Sequence, residues 1–366
     1  MQIVCPMCNT EYKISSDKIP EKPVQASCKK CGGKFLVEPK MGQDVILDAQ
    51  MVSDSAAATP PAISAEHSIA QGRDPSGSEL ALISTYPELQ YLDSDKLVLE
   101  EIFTPSKKGS YKTKSNKLNL KILKAIHGTL DRMLQSDEQV IQLGKAMAYY
   151  PAEIIFGNGY LTMMYNYYAV VATNQRLLFI NVNSKISKPT HYYFQIPYGG
   201  IKKVTTGLFG TSLILSRQKG KRRIFTGMKR YMAKAFQQLI RDRQPLAKDA
   251  KSVKAIAEDL CPSCFIPLAK NLLKCPKCKN SFKKPATAFL RSLLLPGLGD
   301  IYLGHRLLGS LELLGSVVVW GIVIFSVLQG DQASLIIALV ILAIYNGFDG
   351  LLTRHMARKG YMLSTK

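Results

Sequence analysis

Apolar positions along the chain change period several times, and each change predicts a different kind of element. Leu307–Leu328 and Ser334–Leu352 are nearly unbroken apolar stretches of 22 and 19 residues, each holding one acidic residue, Glu312 and Asp349. A helix needs about 20 such residues to cross the hydrocarbon core, so the two stretches predict a membrane-spanning hairpin. Ala288–Leu295 is too short to cross and predicts an interfacial helix rather than a third span. Glu312 and Asp349 are expensive in such spans; they mark a polar helix contact or an ion path, or, being about a turn and a half from a span end, reach the interface, which is the expectation here.

Upstream the period shortens. Runs at Glu153–Phe156, Ala169–Ala172, Leu177–Val182, Tyr192–Ile196 and Leu213–Leu215, separated by Gly157-Asn158-Gly159, Asn174-Gln175 and Tyr198-Gly199-Gly200, predict a meander of antiparallel strands. Met228, Met232, Ala235, Phe236 and Leu239 then repeat at helical spacing with Lys229, Arg230, Lys234, Arg241 and Arg243 mostly off the stripe, predicting a helix that closes the open end of a bent sheet. Leu118, Ile122, Ile126, Leu130 and Met133 mark an earlier helical face beside a lysine-rich, solvated segment, and Ile3-Val4 and Phe35-Leu36-Val37 suit small strands. The stretch 42–78, with Ala56-Ala57-Ala58-Thr59-Pro60-Pro61, lacks either period and predicts a flexible linker.

Cysteine spacing adds the chemistry. All eight cysteines fall in C-x-x-C pairs: Cys5/Cys8 with Cys28/Cys31, and Cys261/Cys264 with Cys275/Cys278. Two such knuckles separated by a hairpin's length are the zinc-ribbon pattern, four thiolates offered at tetrahedral geometry. No further Cys or His is placed as a replaceable ligand, so two closed, structural zinc ions are expected. Thiol-redox chemistry and iron binding are the alternatives; the redox reading lacks the βαβ unit that places a reactive dithiol at a helix start.

The net charge of +21 calls for an anionic partner, nucleic acid or membrane surface. Between Gln135 and Ala250 there are 17 Lys and Arg against 5 Asp and Glu, and Arg217, Lys219, Lys221, Arg222 and Arg223 gather around one hairpin loop. That loop is the candidate anion contact, for anionic lipid, protein or nucleic acid, against the plainer account of a solvated basic turn. The start, Met1-Gln2-Ile3-Val4-Cys5-Pro6, has no signal-peptide character. The hairpin tip, Gln329-Gly330-Asp331-Gln332-Ala333, lacks Lys and Arg, whereas Lys283, Lys284, Arg291 and Arg306 precede the spans and Arg354, Arg358 and Lys359 follow. Both flanks are therefore expected on the reducing, cytosolic side that the cysteines also require.

Several segments resemble known families. Ile3, Cys5, Pro6, Cys8, Tyr12, Ile14, Ile19, Pro20, Cys28, Cys31, Gly32, Phe35 and Val37 resemble a bacterial amino-terminal zinc-ribbon family. Val170-Val171-Ala172-Thr173-Asn174-Gln175-Arg176-Leu177-Leu178-Phe179-Ile180, Ile196-Pro197-Tyr198, Ile201-Lys202-Lys203-Val204 and Phe225-Thr226-Gly227 resemble the bacterial pleckstrin-homology-like domains. That likeness implies a barrel closed by a helix that binds lipids, peptides or proteins and does not catalyse. Leu295-Pro296-Gly297-Leu298-Gly299-Asp300-Ile301-Tyr302-Leu303-Gly304 resembles the turn of a two-pass membrane domain, with Asp300 where that family typically has histidine or glutamine.

The expected plan is a multidomain chain of small β zinc ribbons, a β-rich barrel with a C-terminal helix and an α-helical transmembrane hairpin. Its blocks are a zinc ribbon (1–41), linker (42–78), helical lead-in (79–134), pleckstrin-homology-like domain (135–245), second ribbon (258–284) and interfacial helix with two spans (285–356). His67, His127, His191, His305 and His355 are scattered, and neither a phosphate-binding loop nor a nucleophile elbow is present, so no enzymatic activity is expected. The expected function is a zinc-binding adaptor or scaffold in a bacterial cytoplasmic membrane, contacting anionic lipid headgroups or a protein partner. A membrane-tethered nucleic-acid regulator and a thiol-redox protein are the alternatives; the spans and the lack of a basic recognition helix count against the former.

Overall fold

The computed structural model describes residues 2–4, 11–13, 24–27, 34–37, 76–92, 94–151, 153, 159–218, 222–249, 258–330 and 332–364. The chain forms two compact units, 1–64 and 65–366. In the first, β1 (Gln2–Val4) pairs with β2 (Glu11–Lys13) and β3 (Val24–Ser27) with β4 (Lys34–Val37), each pair antiparallel. Most of the expected linker, up to residue 75, lies outside the described residues.

The second unit opens with α1 (Gly77–Thr85), α2 (Leu99–Ile102) and α3 (Lys114–Met133). A sheet follows: β5 (Val140–Ala148), the short helix α4 (Gly159–Met163), β6 (Tyr167–Thr173), β7 (Arg176–Val182), β8 (Pro189–Pro197), β9 (Ile201–Thr206), β10 (Leu213–Arg217) and β11 (Arg223–Thr226), then helix α5 (Arg230–Asp249). β5 to β8 form one antiparallel meander and β9 to β11 a second; β11 returns to pair with β5, giving the order β8-β7-β6-β5-β11-β10-β9. Register shifts at Val140/Gln142, Ile180/Val182 and Ser216/Arg217 add twist, and the sheet curls into a half-barrel.

Both faces of this sheet are covered, which is why its central strands are apolar throughout. Tyr168, Val170, Ala172, Leu177 and Phe179 point to the concave side, with Met232, Phe236 and Ile240 of α5. Ala169, Val171, Leu178 and Ile180 point the other way, onto Ile122, Ile126 and Leu130 of α3. The predicted α3 face is thus a packing face, while its lysines Lys114, Lys117, Lys121 and Lys124 remain exposed. The turn between β6 and β7 is tied to α3: the Arg176 guanidinium donates to both oxygens of buried Glu138 (2.9 and 2.7 Å) and to the Met133 carbonyl (2.9 Å).

Three strand expectations change. β5 goes unread in the sequence because Gly144 and Lys145 interrupt its alternation; Gly144 is where α5 crosses, since a Cβ there would lie 2.7 Å from the Met232 sulfur and 2.9 Å from the Phe236 ring. Of the strand expected at Glu153–Phe156, Glu153 is helical and 154–156 lie outside the described residues. β9 and β11 were hidden by their charged positions. On α5 the buried stripe is rotated slightly: Ala233 and Ile240 are buried where Ala235, expected inward, is exposed.

The second cysteine quartet does not form a free-standing block. Its first strand, β12 (Glu258–Leu260), pairs with β13 (Pro267–Leu268) and also extends the sheet beyond β8, with Asp259 opposite Phe194. After it come α6 (Pro285–Leu294), α7 (Leu298–Leu303), α8 (Arg306–Gln329) and α9 (Gln332–Ala357). α8 and α9 are long and apolar enough to cross a membrane; at 1.5 Å per residue they span about 36 and 39 Å, and α6 only about 15 Å. Their large apolar side chains face outward, Leu314, Val317 and Ile336 each being more than 60% exposed, the reverse of a soluble core helix.

α9 runs five residues past the apolar stretch because its end enters the sheet's core. Met356 is fully buried there, and Tyr192 donates to its carbonyl (2.9 Å). The tail then returns to the ribbon: Phe282 bridges Leu363, Lys283 N–H donates to Met362 O and Ser364 N–H to Ser281 O, both at 2.9 Å. Half-barrel, second ribbon and hairpin base therefore share one set of contacts.

Candidate metal centre and basic cavity

The second quartet is built from two copies of one local turn. In each, the residue after the second cysteine takes a left-handed conformation, Phe265 at φ 56° and Lys279 at φ 60°. Its N–H donates back to the carbonyl of the first cysteine, Phe265 to Cys261 and Lys279 to Cys275, both at 3.0 Å. This folds each C-x-x-C so that both sulfurs point the same way. The knuckles face one another, with Cys261 Sγ to Cys278 Sγ at 3.7 Å and Cys264 Sγ to Cys275 Sγ at 3.5 Å, and all four sulfurs lie within 4.8 Å. A zinc tetrahedron with ~2.3 Å bonds has sulfur–sulfur edges of about 3.8 Å, so the four thiols fit that ion. Burial pushes the Cys261 thiol up to about 12, whereas at Cys275 the N–H groups of Cys278 and Lys277 outweigh burial and favour the thiolate. A divalent cation supplies the charge that lets all four ionise.

Cys5, Cys8, Cys28 and Cys31 lie outside the described residues. The strands around them are described, and each pair falls within the connection of one hairpin, Cys5/Cys8 between β1 and β2 and Cys28/Cys31 between β3 and β4. The profile of a zinc-ribbon domain family matches residues 1–36. No curated protein matches the chain.

Of the predicted anion contacts, Lys219 and Lys221 lie outside the described residues; Arg217, Arg222 and Arg223 line one cavity of about 650 Å³. His355, Arg358 and Lys359, at and just past the end of α9, line the same cavity; the sequence marked Arg358 and Lys359 for orientation only and His355 as one of the scattered histidines. Arg223 lies 3.9 Å over the Phe194 ring. Burial, and then the charge of Arg223, pull Arg217 below its usual range, as expected where guanidinium groups are held close together. Lys359 is buried and bonded to Glu153 (2.5 Å) and Asn166 (2.6 Å).

Glu312 and Asp349 do not reach outward as expected. Both are buried, and each brings a carboxylate oxygen within 4.8 Å of the other and of Asp300. Two glycines make this convergence: Gly297, at φ 89°, and Gly309 let the turn before α7 rest on α8, where a Cβ on Gly309 would lie 2.5 Å from the Gly297 carbonyl oxygen. Gly297 N–H then donates to Asp349 Oδ2 (3.1 Å), Thr353 Oγ1 to Asp300 Oδ2 (2.8 Å), and His305 Nδ1 lies 3.0 Å from Asp300 Oδ1.

Proposed function

We propose that this protein is a membrane-anchored, zinc-binding adaptor whose half-barrel is a pleckstrin-homology-like domain, held by the α8–α9 hairpin against an anionic membrane surface and binding lipid headgroups there. The observation that carries the reading is the basic cavity. Its cations come both from the facing ends of β10 and β11 and from the end of α9, the point at which a spanning helix leaves the hydrocarbon. A lipid phosphate at that depth meets several guanidinium groups at once, and each cation near such a surface contributes about 1 kcal/mol. Both flanks of the hairpin lie in the cytosol by the distribution of Lys and Arg, on the side where cysteine quartets stay reduced and hold zinc. The activity is binding, with the two ribbons as structural zinc sites; a bacterial inner membrane is the expected setting.

The test uses the full chain in nanodiscs of mixed phosphatidylcholine and phosphatidylglycerol, with co-purified lipid read by native mass spectrometry. Phosphatidylglycerol should be retained over phosphatidylcholine, and Arg217→Ala/Arg222→Ala/Arg223→Ala should remove the preference while zinc content is unchanged. Equal retention of both lipids by the parent chain would reject headgroup binding and favour a protein ligand for the cavity.

A further inference from the structure

The three buried carboxyl groups at the base of the hairpin are used by neither the zinc sites nor the basic cavity. Asp300 sits on α7, Glu312 two turns into α8 and Asp349 two turns before the end of α9, so three separate helices deliver them to one point. Acidic side chains alone would not indicate a ligand. The Glu312 side chain does: the residue is 8% exposed, and its Oε2 accepts no hydrogen bond although it is shut away from solvent beside two other carboxyl groups. Besides the Ser292 hydroxyl beside Asp349, the groups that bond to the cluster are a peptide N–H from Gly297, the Thr353 hydroxyl and the His305 ring. Two of these donors are neutral, and the third, His305, is itself enclosed at 1% exposure. The buried ammonium of Lys359 is bonded to Glu153 and Asn166 and meets Asp300 only through space.

A charge that water cannot reach must be neutralised by a proton or a cation. Several features favour the cation. The donors are all carboxylate oxygens, a set that suits hard divalent ions better than zinc or copper, which favour thiolate and imidazole. They converge from three elements on one centre, whereas proton sharing needs only pairs. Asp300 is oriented from outside by His305 and Thr353, the supporting contacts that metal-bound carboxylates usually have. We infer that Asp300, Glu312 and Asp349 bind one hard divalent cation, Mg²⁺, Mn²⁺ or Ca²⁺, which pins the turn before α7 to both long helices. The inference stands on the hairpin's own geometry and does not depend on lipid binding by the basic cavity.

The experiment titrates Mn²⁺ into the full chain in detergent micelles with its zinc retained, reading free Mn²⁺ by electron paramagnetic resonance. One saturable site per chain is expected, weakened at least tenfold in both Glu312→Gln and Asp349→Asn, which keep side-chain volume and are checked for unchanged zinc content. Competition by Mg²⁺ or Ca²⁺ then identifies the ion. A second measurement needs no variant: Mn²⁺ should slow amide hydrogen exchange in Leu295–Gly304 of the parent chain. Absence of saturable binding, binding that survives both substitutions, or exchange in that segment indifferent to Mn²⁺ would each overturn the site.

Discussion

Replacing Lys359 with methionine should loosen the half-barrel more than any surface change, because it strands a buried charge. Lys359 and Glu153 have side chains 2% and 1% exposed and 2.5 Å apart. At an effective dielectric of 20 their attraction is about 7 kcal/mol, but each ion loses several kcal/mol of hydration on burial, so the intact pair adds little net stability. Breaking it is another matter, since the remaining ion loses its opposite charge and keeps only Asn166 and, for Glu153, the His355 ring at 3.7 Å: Lys359→Met and Glu153→Leu should each cost about 3–5 kcal/mol. The double variant removes both charges and leaves the buried Asn166 underbonded, a loss of about 1–3 kcal/mol, with the half-exposed His355 ring free to turn to water. Native-state hydrogen exchange of β6 and β8 in the detergent-solubilised chain measures all four corners of the cycle. Costs that add to within ~0.5 kcal/mol would refute the pairing.

The same pair predicts a pH dependence. Burial holds the Lys359 ammonium below its usual range, with Glu153 offsetting part of that effect. The unfolded chain therefore binds this proton more tightly than the folded one, and stability from this group rises with pH between the folded value and the unfolded value near ~10.4. In Glu153→Leu the offset is gone, so the rise should begin at lower pH.

Other expectations can be checked separately. Cys275→Ser should lower zinc from two ions per chain to one by mass spectrometry, and should speed exchange along the outer edge of β8 as β12 detaches. Cys28→Ser should likewise remove one zinc but leave exchange in β5 to β11 unchanged, because its ribbon belongs to a separate compact unit. Gly309→Val places a side chain against the Gly297 carbonyl oxygen, and should destabilise the hairpin base by about 1–3 kcal/mol, seen as faster exchange in Leu295–Gly304. A cysteine at Gln332 should react with an impermeant maleimide on intact spheroplasts, and one at Ser364 should not.

What could be read from the sequence was whatever a single local stretch determines. Cysteine spacing specifies a knuckle within four residues, and the face of α3 and the existence of α8 and α9 follow from period and run length alone. What escaped depends on residues far apart in the chain. Asp300 and Asp349 meet because Gly297 and Gly309 permit one backbone to touch another, a condition with no signature in hydrophobic pattern. Without it, Glu312 and Asp349 looked like charges needing an exit. Arg358 and Lys359 were legible as flanking charge, yet their place in one cavity with Arg217 and Arg223 follows from α9 running on into the sheet's core. β12 was read as part of an isolated ribbon because edge-strand addition leaves no mark on a three-residue strand.

The backbone bonds between Lys283 and Met362 and between Ser281 and Ser364 act as a parity rule. Segments that hydrogen-bond to each other lie on one side of a bilayer, so the chain between them must cross an even number of times; α6 or α7 cannot be promoted to a third crossing without tearing the clasp. The same bonds impose an order of assembly. Some eighty residues separate the two strands of the clasp, and the later one emerges only after both long helices have been made. The knuckle at Cys275–Cys278 can take its metal early, but the clasp beside it closes last, and resistance to proteolysis at 281–284 would report that insertion of the hairpin is complete.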